Sequence, residues 1–141
     1  ERMLQKRFRK FDALQRRRDL IEIEGDLDAP IGVIAWGSVA GVCREAVAIA
    51  RENGLPVKLL VPRLIYPVIE KVYEEFFASA RHGLVVEQSF QGQLYRLLRM
   101  YVNVPDGFIS LARPGANPLI ASQIARKLEQ IASKSLQSLY V

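Results

Sequence analysis

The stretch Ile31-Gly32-Val33-Ile34-Ala35-Trp36-Gly37-Ser38-Val39-Ala40-Gly41 constrains the fold more than any other part of the chain. An apolar run, Ile31–Trp36, ends at Gly-Ser and passes into a helical pattern, as a buried parallel strand does when it turns over its carboxyl end into a helix. Gly37 supplies backbone freedom for the turn, and Ser38 stands where a side chain can cap the first free N–H groups. In open α/β sheets, ligands and partner surfaces gather just outside such strand ends. Gly37, Ser38 and Gly41 are therefore candidates for an interface or an anion site.

The same unit recurs downstream. From Val39 the positions Val42, Cys43, Ala46, Val47 and Ala50 trace one helix face that stops at Asn53-Gly54, a helix-ending pair. Val57–Val61 reads as a second parallel strand, and the loop Pro62–Pro67 as its exit, with Pro67 suited to open the next helix. That helix would bury Val68, Ile69, Val72, Tyr73, Phe76 and Phe77. Gly83–Glu87 is a third parallel strand, left through Gln88–Leu94, with helical spacing carried on by Leu97, Leu98 and Tyr101. Phe108–Leu111 is the last strand. Asn117 and Pro118 read as the cap and opening of a final helix that would bury Ile120, Ile124, Leu128 and Ile131, with Ser135–Val141 as a looser tail.

Ahead of these units, Leu20–Ile23 alternates as an edge strand with one wet face does. Residues 2–17 form an amphipathic pattern with Leu4, Phe8, Phe11 and Leu14 in helical spacing. Alternation of strands and helices predicts a three-layer α/β/α domain with a five-stranded, mostly parallel sheet and an antiparallel edge strand. Residues 1–19 are expected to be a basic linker helix and residues 20–141 a single domain. The opening Glu1, in place of Met, predicts a piece of a longer protein.

The net charge of +5 raises the question of nucleic acid, and its distribution answers it. Residues 1–18 hold eight of the 20 Lys and Arg and two of the 15 acids, leaving twelve basic against thirteen acidic residues in the remainder. A domain built to hold duplex DNA spreads positive charge over its folded surface. The expectation is no nucleic-acid partner and, with no long apolar segment, no membrane partner. The single cysteine, Cys43, leaves no internal disulfide and lies on a core-facing helix position, which fits a reducing, cytoplasmic setting.

Familiar catalytic patterns are missing. Gly37 and Gly41 give only a fragment of a dinucleotide-binding glycine motif, and no acid follows Val61. There is no Gly-Lys-Ser/Thr phosphate loop, no nucleophile elbow and no grouping of His, Asp or Glu with metal spacing. No residue is expected to be catalytic or to bind a metal. Arg63, at a strand's carboxyl end, either meets an anion or partner carboxylate or forms a salt bridge within the domain. Glu87 stands where functional acids occur, yet such a carboxylate equally well accepts from local backbone N–H groups. His82, at the opposite strand end, reads as structural.

Three phrases taken together carry a resemblance. They are Ala35–Gly41 with Arg44-Glu45-Ala46, Gly83–Glu87 with Gly92-Gln93-Leu94-Tyr95-Arg96-Leu97-Leu98-Arg99, and Arg63–Pro67. With the basic lead-in Lys6–Lys10 and Arg113-Pro114, most of the chain resembles the carboxyl-terminal domain, core domain II, of 2-oxoacid:ferredoxin oxidoreductase alpha subunits. Those domains resemble the carboxyl-terminal domain of transketolase-type enzymes.

The resemblance implies a parent enzyme that oxidatively decarboxylates a 2-oxoacid with coenzyme A and passes electrons to ferredoxin. It implies thiamine diphosphate, Mg²⁺ and iron–sulfur clusters in that complex, and none of them in this domain. The implied partners are other alpha-subunit domains, a beta subunit and, through the complex, ferredoxin. The implied role is assembly, with the turns Gly37-Ser38 and Gln91-Gly92-Gln93 facing the neighbours. The alternative expectation is an anion or coenzyme A site at the Ser38 helix start.

Overall fold

The apolar runs lie side by side as strands, and the helical patterns cover them from both faces. The computed structural model describes residues 2–138. In chain order the elements are α1 (Arg2–Leu14), a 3₁₀ turn at Arg18–Leu20, β1 (Ile21–Glu24), β2 (Ile31–Ala35), α2 (Val39–Glu52), β3 (Val57–Pro62), α3 (Glu70–Ser79), β4 (His82–Glu87), α4 (Gln93–Tyr101), β5 (Gly107–Ala112) and α5 (Ala121–Ser138). The sheet runs β1-β3-β2-β4-β5. β1 is antiparallel to β3, with Ile21 opposite Pro62, and every other pairing is parallel. The expected five-stranded sheet with one antiparallel edge is the one found.

Consecutive strand residues face opposite layers, both covered by helices, which explains why β2, β3 and β4 read as mainly apolar runs. Val33, Leu59 and Leu84 pack beneath α2 and α5, among Cys43, Ala46, Val47, Ile124 and Leu128. Ile34, Leu60 and Val85 pack beneath α3 and α4, among Val72, Tyr73, Phe76, Phe77 and Leu98. In this second layer Phe108 meets Phe77 edge-on at 4.9 Å. Glycine brings those rings down onto the sheet. A Cβ on Gly32 would lie 2.7 Å from the Phe76 ring, and one on Gly83 would fall inside the carbonyl of Gly32 on the neighbouring strand.

Two helix starts depart from their expected positions, and one expected cap is not made. Pro67 does not open α3: Val68 and Ile69 are both buried in a non-helical segment, as β-branched residues favour, and the helix begins at Glu70. Pro118 does not open α5, which begins at Ala121. Leu119 turns inward and Ile120 is left exposed, so Ile120 is not part of the core. Ser38 does not cap α2 through its side chain. Its own backbone is already helical, and the turn is made by Gly37 at φ +64, whose carbonyl accepts the Ala40 N–H at 3.2 Å. The expected looseness of the tail is not seen as far as Ser138, where α5 is continuous, and residues 139–141 lie outside the described part.

Candidate functional site

β2 and β4 are neighbours in the sheet, yet α2 leaves β2 toward one face and α4 leaves β4 toward the other. Their carboxyl ends therefore part around a crevice, the location where open α/β sheets place ligands and partners. The end of β4, together with the loops and first helical turns that follow β2 and β4, supplies all of the sequence-predicted site residues except Arg63, which follows β3.

Glu87 ends β4 with no exposed surface. Its Oε1 accepts from the Ser89 hydroxyl at 2.7 Å and the Leu94 N–H at 2.9 Å, and its Oε2 accepts from the Tyr95 N–H at 3.1 Å. The carboxylate is thus consumed at the amino end of α4, where backbone donors and the helix dipole favour negative charge. Of the two readings left open above, the local one is observed. Gly92 sits ahead of that helix at φ +66, and a side chain there would run into the Ser110 hydroxyl. Gln93 is exposed on the first helical turn. Gln88 ties the loop down by donating from Nε2 to the carbonyls of Gly115, at 2.9 Å, and Asn117, at 3.2 Å.

On the β2 side, Gly37 and Gly41 both border open space. Beside Gly37 lies a groove of about 490 Å³ walled by Trp36, Ile65, Val61, Arg44, Arg63 and Glu22. Its charges are paired with one another. Arg44 donates from Nε to Glu24 at 2.7 Å and from Nη2 to Glu22 at 3.2 Å, and Arg63 pairs with the other oxygen of Glu22. The hydrogen bond and charge of Glu24 raise the Arg44 pKa, so its positive charge is secure. Arg63 therefore makes the intradomain salt bridge rather than presenting a free cation.

Aromatic rings remain exposed at this end. Trp36, Tyr66 and Phe90 follow the carboxyl ends of β2, β3 and β4 and are 39%, 48% and 66% exposed. Tyr66 also anchors a chain of edge-on ring contacts, to Phe11 of α1 at 5.6 Å and to Tyr101 of α4 at 6.0 Å. Sequence reading did not single out these rings as a group. Their common place, one to four residues after a strand end, was the available signal. It also missed Lys58, a lone cation in an apolar run. Lys58 is 1% exposed, donates to the Leu27 carbonyl at 2.8 Å and the Ser79 hydroxyl at 2.7 Å, and lies 4.5 Å from the Phe76 ring centre.

The remaining candidates stand apart from the crevice. His82 is the first residue of β4, at the opposite end of the strands, where it lines a cavity of about 250 Å³ with Asp106 and Lys134. Cys43 is fully buried, and burial pushes its thiol up to about 12. Among the described residues no three His, Cys, Asp or Glu side chains gather as metal ligands do. The single cysteine cannot supply the grouped thiolates that an iron–sulfur cluster needs. Among them, no helix is long and apolar enough to cross a membrane.

The architecture defines a class first. A solved split-gene transketolase, described as an inactive beta4 tetramer, matches 80% of this chain and 41% of its own with a TM-score of 0.63; at 12% identity this is likeness of fold alone. The fold is that of the transketolase-like α/β domains. Within it, the chain belongs to the pyruvate:ferredoxin oxidoreductase core domain II family, whose family model matches residues 29–117.

The alpha subunit of 2-oxoacid:ferredoxin oxidoreductase 2 from Aeropyrum pernix is 29% identical over 133 residues, covering 92% of this chain and 20% of that subunit. The solved 2-oxoglutarate:ferredoxin oxidoreductase from Magnetococcus marinus, with 2-oxoglutarate, coenzyme A and succinyl-CoA bound, is 32% identical with a TM-score of 0.83. It is covered over 22% of its chain, against 92% of this one. The chain thus spans about a fifth of the length of these relatives.

Proposed function

We propose that the chain is a non-catalytic assembly domain in the alpha subunit of a 2-oxoacid:ferredoxin oxidoreductase. The whole enzyme would convert a 2-oxoacid and coenzyme A into acyl-CoA and carbon dioxide, with the two electrons released passing to ferredoxin. Thiamine diphosphate, Mg²⁺ and iron–sulfur clusters would be held by the other domains and by a beta subunit. Residues 1–19 would serve as the linker helix leading into the domain of residues 20–141, in a cytoplasmic enzyme with no nucleic-acid partner.

One observation supports the assembly reading above the others. At the end of the sheet where ligands are expected, the charged side chains Glu87, Arg44 and Arg63 are already engaged. Glu87 is bound to backbone donors, and Arg44 and Arg63 are bound to Glu22 and Glu24. What stands exposed there is aromatic, namely Trp36 and Phe90, with Tyr66 half exposed beside Phe11 and Tyr101. Exposed aromatic anchors with few free charges suit the core of a protein–protein contact. Gly37, Ser38, Gly41, Gly92 and Gln93 would then be the flat, small or polar positions over which a neighbour closes.

The test is a Trp36→Ala, Phe90→Ala double variant in the assembled oxidoreductase. The expected result is dissociation or loss of mass by light scattering, while the unfolding midpoint of the 141-residue chain alone is unchanged. A complex that assembles and turns over normally with both rings removed would refute the reading. Titration calorimetry of the chain with coenzyme A separates it from the anion-site alternative: no heat is expected, and saturable binding abolished by blocking the Ser38 helix start would favour that alternative.

A further inference from the structure

The two edges of the sheet are built differently. β1 has four residues, and two of them, Glu22 and Glu24, hold ion pairs with Arg44 and Arg63. Charge on a short edge strand guards it against pairing with another sheet. β5 has six residues, Gly107-Phe108-Ile109-Ser110-Leu111-Ala112, with no charge and no proline, and Ile109 is 45% exposed. The final helix α5 packs over α2 and β4, and β5 is the last strand of the sheet, with no strand paired on its outer side among the described residues.

The hydrogen bonds show which backbone groups β5 presents outward. The N–H of Arg113 donates to the Glu87 carbonyl, so Arg113 faces β4. By alternation Leu111, Ile109 and Gly107 also face β4, and Phe108, Ser110 and Ala112 face away. At Phe108 both groups are taken: its N–H donates to Pro105 at 3.0 Å, and its carbonyl accepts from the Tyr95 hydroxyl at 3.2 Å. The outward N–H and C=O of Ser110 and Ala112 have no protein partner among the described residues.

We propose that a second copy of this chain pairs on this edge, β5 against β5, antiparallel about a two-fold axis beside Leu111. In that register Ser110 of each copy lies opposite Ala112 of the other. Each such pair exchanges two N–H···O bonds, so all four free groups on each copy are satisfied. No like charges meet, because Arg113 of one copy falls opposite the exposed Ile109 of the other and its aliphatic stem can cover it. The guarded β1 edge admits no such pairing. The inference concerns self-association alone and stands or falls independently of the assembly role proposed above.

The test is made on the 141-residue chain. Sedimentation or light scattering at protein concentrations on the order of 10–100 µM is expected to give twice the monomer mass, weakening on dilution. Hydrogen exchange should slow at the Ser110 and Ala112 amides as concentration rises. Ser110→Pro removes an outward N–H without touching the ladder to β4, and Ile109→Lys sets a cation opposite Arg113 of the other copy. Each should weaken dimerisation on the order of tenfold or more. Circular dichroism checks that the variants fold, and Ile109→Lys, changing an exposed side chain, serves if the proline variant does not. A chain monomeric at every concentration, a dimer indifferent to Ile109→Lys, or Ser110 and Ala112 amides protected only when other subunits are present would each overturn the proposal.

Discussion

Glu87 reaches from the last residue of β4 to the backbone of Leu94 in the first turn of α4, accepting its N–H at 2.9 Å with no solvent access to the carboxylate. The contact fixes how α4 leaves the sheet. It also explains how an acid survives in the interior without a cation beside it: Ser89 and Tyr95 supply the remaining donors.

Replacing Glu87 by alanine strands those donors in a dry site, and such groups each cost roughly 1–3 kcal/mol. The expected loss is about 3 kcal/mol for Glu87→Ala and about 1 kcal/mol for Glu87→Gln, which keeps one acceptor oxygen. Urea unfolding of the two variants measures this. Equal losses would show that the hydrogen bonds to the helix do not carry the effect.

Lys58 gives a pH dependence of defined sign. Burial holds its ammonium below the ordinary value of 10.5, with Asp28 and then Asp26 opposing. For a base whose folded pKa is lowered, the unfolded chain holds more protons in the interval below 10.5, so stability from this group rises as pH climbs through that interval. Lys58→Met removes the rise while leaving the Leu27 carbonyl its donor from Ser79, at 2.9 Å. The stability of wild type relative to Lys58→Met should therefore increase between about pH 7 and about pH 10, as denaturant titrations at both values would show. At neutral pH the variant is expected within about 2 kcal/mol of wild type, since a buried charge and an apolar side chain of similar length differ little there.

Cys43 behaves in the opposite sense. Burial raises its thiol from 9.0 to about 12, so above pH 9.0 the unfolded chain loses this proton first and stability from the group falls as pH rises toward about 12. At neutral pH the thiol should be inert to an aromatic disulfide reagent in the folded chain and react with one equivalent on unfolding. Rapid native-state labelling would contradict its placement in the core.

Two glycines should respond oppositely to alanine. At Gly83 the new methyl group would enter the carbonyl of Gly32 on β2, and only separation of the strands relieves that. Gly83→Ala is expected to cost about 3 kcal/mol or more. At Gly41, inside α2 with open space around it, alanine should add about 0.5–1 kcal/mol through helix propensity. Thermal unfolding measures both. If Gly41→Ala stabilises the chain yet impairs the whole enzyme, a neighbour closes over that position.

The sheet was legible because burial leaves periodic marks. Mainly apolar runs marked β2, β3 and β4, and the alternation at Leu20–Ile23 marked the edge. Local signals were less reliable where tertiary packing competes. Pro67 and Pro118 suit a helix start, but the core drew Val68, Ile69 and Leu119 inward ahead of the helices. Ser38 had the right identity for a cap, and Gly37 made the turn without it. Glu87 and Arg63 could be placed at strand ends, but their partners lie in other segments, at Leu94, Tyr95 and Glu22. Which role they take is a matter of three-dimensional proximity that spacing along the chain does not encode. Lys58 was visible as a charge in an apolar strand, and its partners Leu27 and Ser79 come from segments 31 and 21 residues away.

The unlike margins of the sheet bear on how far association can go. A strand-built contact that joins open rims on both sides of a protein polymerises, each addition exposing the next template. Here any partner joined at β5 turns the glutamate-bearing rim of its own β1 outward, and growth halts after a single union. The chain thereby tolerates one bare hydrogen-bonding rim without the hazard of fibres.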